Sequence, residues 1–167
     1  FFIKRKKYSS LINLLEKSVG SDLKLFFKKQ SYQKRLSKIF FYKKKYKFIA
    51  LLVYPKIQCS TKKIYSKVKT YSIKNKIDYS KINSENQFLE IIKNDKNDLQ
   101  KIAIKQHPSI QNVIDYIAIQ KNCKMSRMTG SGSVCFGIFK NSKSASAALT
   151  RIKRKFPNFW CVVTKTI

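Results

Sequence analysis

The sequence predicts an α+β fold, an antiparallel sheet with helices on one face. Short apolar runs of strand length recur along the chain, and longer segments between them carry apolar residues at helical spacing. The final third alternates these patterns in the order strand, glycine-rich loop, strand, helix and strand. The 167 residues are enough for one such domain together with part of another.

The first 47 residues are strongly basic and contain few predicted elements. Apolar residues of Leu11–Val19 recur at helical spacing, and Gly20 ends this predicted helix. The apolar run Leu23–Phe27 predicts a short strand. Residues 28–47 are basic and aromatic, which predicts a connection with one weak strand at Ile39–Phe41.

A strand and a helix are predicted next. Phe48–Tyr54 is an uninterrupted apolar run that ends at Pro55, which indicates a strand. Ser60 and Thr61 offer an N-cap to a following helix. The apolar face of that helix is predicted to carry Ile64, Tyr65 and Val68.

Two more helices follow a polar connection over residues 70–84. One covers about Gln87–Lys105, and its polar middle, Lys93–Asp98, predicts a break. The other begins at Pro108, because proline suits the first turn of a helix.

The last third has the clearest pattern. Lys124–Thr129 and Val134–Phe139 are two predicted strands on either side of a glycine-rich loop. Ser142–Lys155 predicts a helix that is closed by Pro157. Phe159–Thr164 predicts the final strand.

The charge of the chain has two interpretations. The 37 lysine and arginine residues against eight acidic residues give a formal net charge of +29. Lysine accounts for 32 of the 37, and AT-rich codons encode the residue types that dominate the chain, so mutational bias explains the charge. The alternative is a nucleic-acid-binding protein, in which Lys43–Lys45 contact phosphates and Phe40, Phe41 and Tyr42 stack on bases.

Several classes of protein are excluded or disfavoured by the sequence. It has neither the roughly 20 consecutive apolar residues of a membrane-spanning helix nor a signal-peptide cleavage site near its start. Four widely spaced cysteines and one histidine fit reduced thiols better than a zinc site or a disulfide framework. We therefore expect a cytoplasmic protein without a membrane partner; its oligomeric state is left open.

The loop formed by Thr129, Gly130, Ser131, Gly132 and Ser133, hereafter the glycine loop, is the first candidate site. Glycine allows positive φ or a close approach of the backbone to another group. Successive N–H groups and serine hydroxyls can form a concave site for an anion. The alternative is a plain hairpin turn, and the sequence does not match a P-loop.

The segment Ser126–Phe139 resembles the third motif of the GHMP kinases, and more narrowly that of their cytidyl-methylerythritol kinase branch. Further landmarks follow the order of the family and extend the resemblance over nearly the whole chain. They are Val19–Asp22, Val53–Pro55, Ser60–Tyr65, Asn97–Leu99, Pro108–Ile110 and Phe156–Val162.

This resemblance implies a ferredoxin-like C-terminal domain over residues 47–167, preceded by the end of an ATP-binding N-terminal domain over residues 1–46. It implies a kinase that uses ATP and Mg²⁺ to phosphorylate the 2-hydroxyl of 4-diphosphocytidyl-2-C-methyl-D-erythritol, its small-molecule partner, in non-mevalonate isoprenoid biosynthesis. A ferredoxin-like remnant module with a regulatory or scaffolding role is a further alternative.

The resemblance also implies roles for individual residues. Asp22 is the general base that takes the proton of the substrate hydroxyl. Thr61 and Tyr65 hold the cytidine end of the substrate, and the glycine loop borders the substrate or its phosphates. Other roles stay open, because Asp22 can be a turn residue, Thr61 a helix cap and Tyr65 a buried core ring. No metal ligand is implied.

The sequence departs from the family in three ways. Lys24 stands where the family has proline, and residues 31–36 lack the family's glycine. The glycine-rich ATP loop and the N-terminal lysine of the catalytic pair have no match in these 167 residues. We therefore expect the sequence to be the C-terminal part of a kinase or the remnant of a decaying gene.

Five other side chains are expected to be structural. Cys135 is expected to be a buried thiol, and Trp160 to pack in the core. His107 is expected at the surface or at a helix end. Asn97 and Asp98 are expected either to cap a helix or to anchor a loop.

Overall fold

The structure is a computed structural model that describes residues 11–12, 14–15, 18, 20, 23–26, 30–35, 38–42, 45–72 and 82–166. The chain separates into two compact units, which are described individually. The larger comprises residues 46–77 and 83–166, and the smaller comprises residues 1–45, 78–82 and 167. This division lies next to the boundary predicted after residue 46, whose assignment to two kinase domains stays a prediction.

The described residues between 11 and 18 in the smaller unit are helical. The described residues of the predicted first helix, Leu11, Ile12, Leu14, Leu15 and Ser18, are helical as expected. Helix α1 then covers Leu23–Phe26, so the strand predicted over Leu23–Phe27 is wrong. A short apolar run suits a strand and a helical turn equally, and here the Leu23 N–H donates to Gly20 O at 3.2 Å, as in a turn.

Two strands of the smaller unit pair antiparallel. They are β1 (Ser31–Arg35) and β2 (Lys38–Phe41). Strand β2 confirms the strand predicted near Ile39, whereas β1 lies in a segment predicted to be a connection. The rings of Tyr32 and Phe40 are paired across the two strands and stack with centroids 5.2 Å apart. This cross-strand ring pair stabilises β1, although the sequence of β1 has no apolar run that would predict a strand.

The larger unit contains a four-stranded antiparallel sheet. Its strands are β3 (Ile49–Tyr54), β4 (Cys123–Met128), β5 (Cys135–Phe139) and β6 (Trp160–Lys165), in the order β4-β5-β3-β6. Strand β3 is central and pairs antiparallel with both β5 and β6. The predicted α+β fold with an antiparallel, ferredoxin-like sheet is therefore confirmed.

Four of the five helices described in the larger unit begin at a side chain that caps them. They are α2 (Thr61–Tyr65), α3 (Glu85–Asn94), α4 (Asp98–Gln106), α5 (Ser109–Ala118) and α6 (Ser142–Lys155). Serine or asparagine side chains at Ser60, Ser84, Asn97 and Asn141 accept hydrogen bonds from backbone N–H groups of α2, α3, α4 and α6. The break predicted at Lys93–Asp98 is confirmed, since α3 ends and α4 begins within it.

Helices α5 and α6 pack on the sheet and form most of the core with it. Leu51 and Val53 of β3, Ile110 and Ile117 of α5, and Ile152 of α6 are at most 1% exposed. A Cβ on Gly137 of β5 would lie 2.4 Å from Ile117 Cγ2, so this glycine lets α5 approach the sheet closely.

The edge of the sheet corrects one expectation. Trp160 begins edge strand β6 and is 51% exposed, so its predicted place in the core is wrong. The core position is taken by Cys161, whose side chain points the other way because side chains alternate along a strand. Within the described ranges, no helix has the length and apolar character needed to cross a bilayer.

Candidate functional site

The glycine loop is a closed turn between β4 and β5. The Thr129 N–H donates to Val134 O at 2.8 Å, and the Gly132 N–H donates to Thr129 O at 3.1 Å. Gly130 has φ +52° and Gly132 has φ +97°. These bonds fix the loop from both ends and leave Ser131 at its tip.

Gly132 is required by its surroundings as well as by its backbone angle. A Cβ at this position would lie 2.9 Å from Met128 Sδ and 3.1 Å from Cys59 Sγ. The next residue, Ser133, is only 2% exposed and donates its hydroxyl to Ile57 O. The loop is therefore packed directly against the segment that follows β3.

Helix α2 brings a second predicted site residue to the loop. Pro55 follows the last residue of β3, and Ser60 caps α2 by accepting from the Lys63 N–H. Thr61 is the first residue of α2, and its hydroxyl oxygen lies 2.9 Å from that of Ser131. Thr61, predicted to hold the cytidine end of the substrate, and the glycine loop, predicted to border the substrate or its phosphates, are thus in hydrogen-bond contact.

Tyr65 is exposed at the end of α2. Its side chain is 51% exposed, whereas the neighbouring Ile64 is 0% exposed and fills the core. Of the two roles that the sequence left open, the buried core ring is therefore wrong. An exposed ring can stack on a base, and that role stays a prediction.

A cleft of about 570 Å³ lies beside the glycine loop. It is lined by residues of the 54–63 segment and by Gly132, Ser133 and Val134. Lys63 contributes a positive charge to this lining. Of these groups, Lys63 is suited to an anionic ligand, whereas the Ser133 hydroxyl and the Gly132 N–H are already hydrogen-bonded within the protein.

The loop is also held from the side by the start of α4. Asn97 Nδ2 donates to Met128 O at 3.1 Å and to Gly130 O at 2.9 Å. Gln100 Oε1 accepts from the Met128 N–H at 2.9 Å. We call Asn97 and Gln100 the α4 clamp. The sequence indicates that Asn97 is either a helix cap or a loop anchor. It is both, because its Oδ1 also accepts from the Leu99 N–H at 3.1 Å.

Asp98 fixes the segment that follows α2. Its Oδ2 accepts from the Ser72 N–H at 3.0 Å, and its Oδ1 accepts from the Ser72 hydroxyl. These two hydrogen bonds, the one from the side chain foremost, hold the pKa of Asp98 below the usual aspartate value of 3.8. Asn97 and Asp98 are adjacent and anchor two different segments.

The four cysteines are free thiols, as expected. Cys135 is buried, and burial raises its pKa to about 12, so it is a neutral thiol in the core. Burial likewise raises the pKa of Cys59 in the cleft. The predicted role of Cys135 as a small buried hydrophobic side chain is confirmed.

Asp22, the predicted general base, lies outside the described residues. Among the residues that the structure does describe, no group of three or more His, Cys, Asp or Glu side chains could hold a metal ion.

Comparison with known proteins finds a family model that matches part of the chain and relatives that match more of it. Residues 78–158 match the family model described as GHMP kinases C terminal. The chain is 37% identical over 129 residues to the 4-diphosphocytidyl-2-C-methyl-D-erythritol kinase of Pelagibacter ubique, which covers 75% of this chain and 44% of that protein. It is 42% identical over 84 residues to the enzyme of that name from Wolbachia sp. subsp. Drosophila simulans, covering 50% of this chain and 29% of that protein.

Solved structures share the fold. A crystal structure of 4-(cytidine 5'-diphospho)-2C-methyl-D-erythritol kinase aligns with a TM-score of 0.70 at 16% identity and covers 92% of this chain and 56% of that one. Homoserine kinase from Cytophaga hutchinsonii aligns with a TM-score of 0.53 at 11% identity, covering 78% and 44% of the two chains. The chain spans less than half the length of the curated relatives named above.

Proposed function

Because residues 78–158 belong to the C-terminal domain family of the GHMP kinases, we propose that this chain contributes the cytidyl-substrate side of a small-molecule kinase. The proposed reaction transfers the γ-phosphate of ATP to the 2-hydroxyl of 4-diphosphocytidyl-2-C-methyl-D-erythritol. The relatives at 37% and 42% identity carry the name of that enzyme. The expected cellular location is the cytoplasm, in keeping with four free thiols.

The contact between Thr61 and Ser131 is the observation that supports this proposal most directly. The family resemblance predicts that Thr61 holds the cytidine end of the substrate and that the glycine loop borders it. The hydroxyl oxygens of Thr61 and Ser131 lie 2.9 Å apart, and the adjacent residues Ser60 and Gly132 line the cleft. Exposed Tyr65 is four residues after Thr61 on α2 and offers a ring for the pyrimidine. Lys63 offers a charge for the diphosphate.

Asp22 has the proposed role of general base. Its carboxylate accepts the proton of the 2-hydroxyl as that oxygen attacks the γ-phosphorus and the bond to the ADP oxygen breaks. ATP supplies the phosphoryl group, and Mg²⁺ neutralises its charge when bound. The proposal assigns neither of them to a described residue of this chain.

The first test is the gene sequence upstream of the codon for Phe1. A lysine-bearing motif and a glycine-rich ATP loop in frame there would complete the proposed enzyme. The protein including those residues is then assayed with ATP, Mg²⁺ and the cytidyl substrate, and the product is identified by mass spectrometry. We expect one added phosphate per substrate molecule.

Two variants distinguish the loss of the proposed general base from the loss of a negative charge elsewhere on the protein. Asp22→Asn is expected to lower kcat by about 10²- to 10⁴-fold. Asp115→Asn removes a carboxylate from an exposed position on α5 and is expected to leave kcat unchanged. Absence of transfer by the complete protein would overturn the proposed reaction, and unchanged kcat in Asp22→Asn would overturn the role of Asp22.

A further inference from the structure

We propose that Asn97 is a positioning residue, which sets the orientation of the glycine loop relative to Thr61 through the α4 clamp. Three hydrogen bonds carry this inference, and all of them lie within the larger unit. Asn97 donates to Met128 O and Gly130 O, and Gln100 accepts from the Met128 N–H. The connection to a cytidyl substrate rests on the proposed function, whereas the positioning of the loop does not.

The clamp controls the first residues of the loop. Met128 is the last residue of β4 and is 1% exposed, so its backbone groups need partners inside the protein. Both partners are side chains at the start of α4. The position of the loop entrance is therefore set by α4.

The amide of Asn97 can satisfy its partners in one orientation. The two carbonyl oxygens of Met128 and Gly130 require the NH₂ group, and the Leu99 N–H requires the oxygen. A reversed amide would place oxygen against two oxygens. This side chain consequently links the N-terminus of α4 to the loop in a fixed geometry.

The bond to Gly130 O extends this control to the tip of the loop. Gly130 has φ +52°, and the next residue is Ser131, which contacts Thr61. Holding the Gly130 carbonyl fixes the peptide plane between Gly130 and Ser131. The direction in which Ser131 leaves the loop, and thus its contact with Thr61, depends on Asn97.

Asn97→Asp separates the positioning role from the capping role. Aspartate keeps an oxygen for the Leu99 N–H and is a good N-cap, but it cannot donate to the two carbonyl oxygens. Asn112→Asp makes the same chemical change at an exposed position on α5 and is the matched control. Both variants are compared with the unchanged protein by amide hydrogen exchange, which needs no ligand.

Asn97→Asp is expected to accelerate exchange of the Thr129 and Gly132 amides by about tenfold, because their hydrogen bonds depend on the shape of the loop. Exchange of the Leu99 amide is expected to stay within about twofold, because the cap is kept. Asn112→Asp should change none of the three. Unchanged exchange at Thr129 and Gly132 would overturn the proposal.

Gln100→Met tests the clamp from its other side without adding charge. It removes the acceptor of the Met128 N–H while keeping a side chain of similar length. The Thr129 and Gly132 amides are again expected to exchange faster than in the unchanged protein. If neither Asn97→Asp nor Gln100→Met accelerates their exchange, the α4 clamp does not hold the loop.

In the complete enzyme, Asn97→Asp is expected to raise KM for the cytidyl substrate by about tenfold and to leave KM for ATP unchanged. Equal changes in both constants would indicate general damage and contradict positioning toward the substrate. If Asn97→Asp accelerates loop exchange but the complete unchanged protein transfers no phosphate, the clamp is supported and the proposed reaction is refuted. The two proposals can therefore fail separately.

Discussion

The hydroxyl oxygens of Thr61 and Ser131 lie 2.9 Å apart, although 70 residues separate them in the chain. Thr61 begins helix α2, and Ser131 lies at the tip of the glycine loop. Each hydroxyl can donate to or accept from the other. The contact joins the two segments that line the cleft, and it can be tested from both sides.

Removal of this contact should weaken ligand binding. Thr61→Val keeps the shape of the side chain and deletes the hydroxyl, and Ser131→Ala does the same on the loop. We expect each to weaken binding of cytidine diphosphate, measured by calorimetry, by about threefold to tenfold. Thr150→Val, an exposed threonine on α6, is the control. If the double variant binds cytidine diphosphate no more weakly than each single variant, the two hydroxyls act through one shared contact. Losses of binding free energy that add fully in the double variant would contradict this coupling.

Gly132→Ala should destabilise the larger unit more than Gly130→Ala. At Gly132 the new Cβ meets Met128 and Cys59 at an unfavourable φ of +97°, whereas at Gly130 nothing lies within 4 Å. We expect a loss of about 2–3 kcal/mol in free energy of unfolding for Gly132→Ala and about 1 kcal/mol for Gly130→Ala, measured by urea denaturation. The opposite order would contradict the packing described for Gly132.

Cys135 should resist alkylation in the native protein. Burial raises its pKa to about 12, so the reactive thiolate is scarce at neutral pH. Because the usual value is 9.0, folding is opposed increasingly as pH rises from 9.0 towards 12. Mass spectrometry after iodoacetamide treatment should show Cys135 modified only under unfolding conditions. Native-state modification would disprove its burial, and Cys135→Ala should lack this part of the alkaline destabilisation.

The pKa of Asp98 should report its bonds to Ser72. The pKa of Asp98 in the folded protein lies below the usual value of 3.8. The ionised carboxylate therefore stabilises the fold above pH 3.8, and this contribution is lost as the pH falls through the pKa of the folded state. Ser72→Ala removes the side-chain bond, which is the largest cause, and should move the pKa of Asp98 upwards in an NMR titration. Ser146→Ala, on α6, should leave the titration curve in place. An unchanged curve in Ser72→Ala would contradict the bonding.

The fold was predictable where local signals agreed with packing. The helix predicted over Ser142–Lys155 has those bounds in the structure, because Asn141 caps it and apolar positions recur at helical spacing. The short apolar run at Leu23 was ambiguous between strand and helix, and β1 depends on a ring pair with Phe40 that its sequence does not reveal. Trp160 was misplaced because hydrophobicity does not distinguish the two faces of an edge strand.

The candidate site was predictable as a set of residues but not as a geometry. Thr61 and Tyr65 were predicted from motif resemblance, and the glycine loop was predicted from its own residues as well. The structure brings Thr61 into contact with Ser131. Gln100 was missed, because a glutamine on a helix carries no motif and its bond to Met128 depends on how α4 packs. The spacing of three between Asn97 and Gln100, which puts them on one helix face, was the available signal.

The central position of β3 in the sheet has a consequence for how the chain folds during translation. Its two ladder partners are encoded more than 80 residues later, in β5 and β6. At about 5–20 residues per second, the ribosome leaves this apolar strand without neighbours for several seconds. During translation, chaperones that recognise exposed apolar segments therefore have in β3 an early and persistent target, which disappears when β6 completes the sheet.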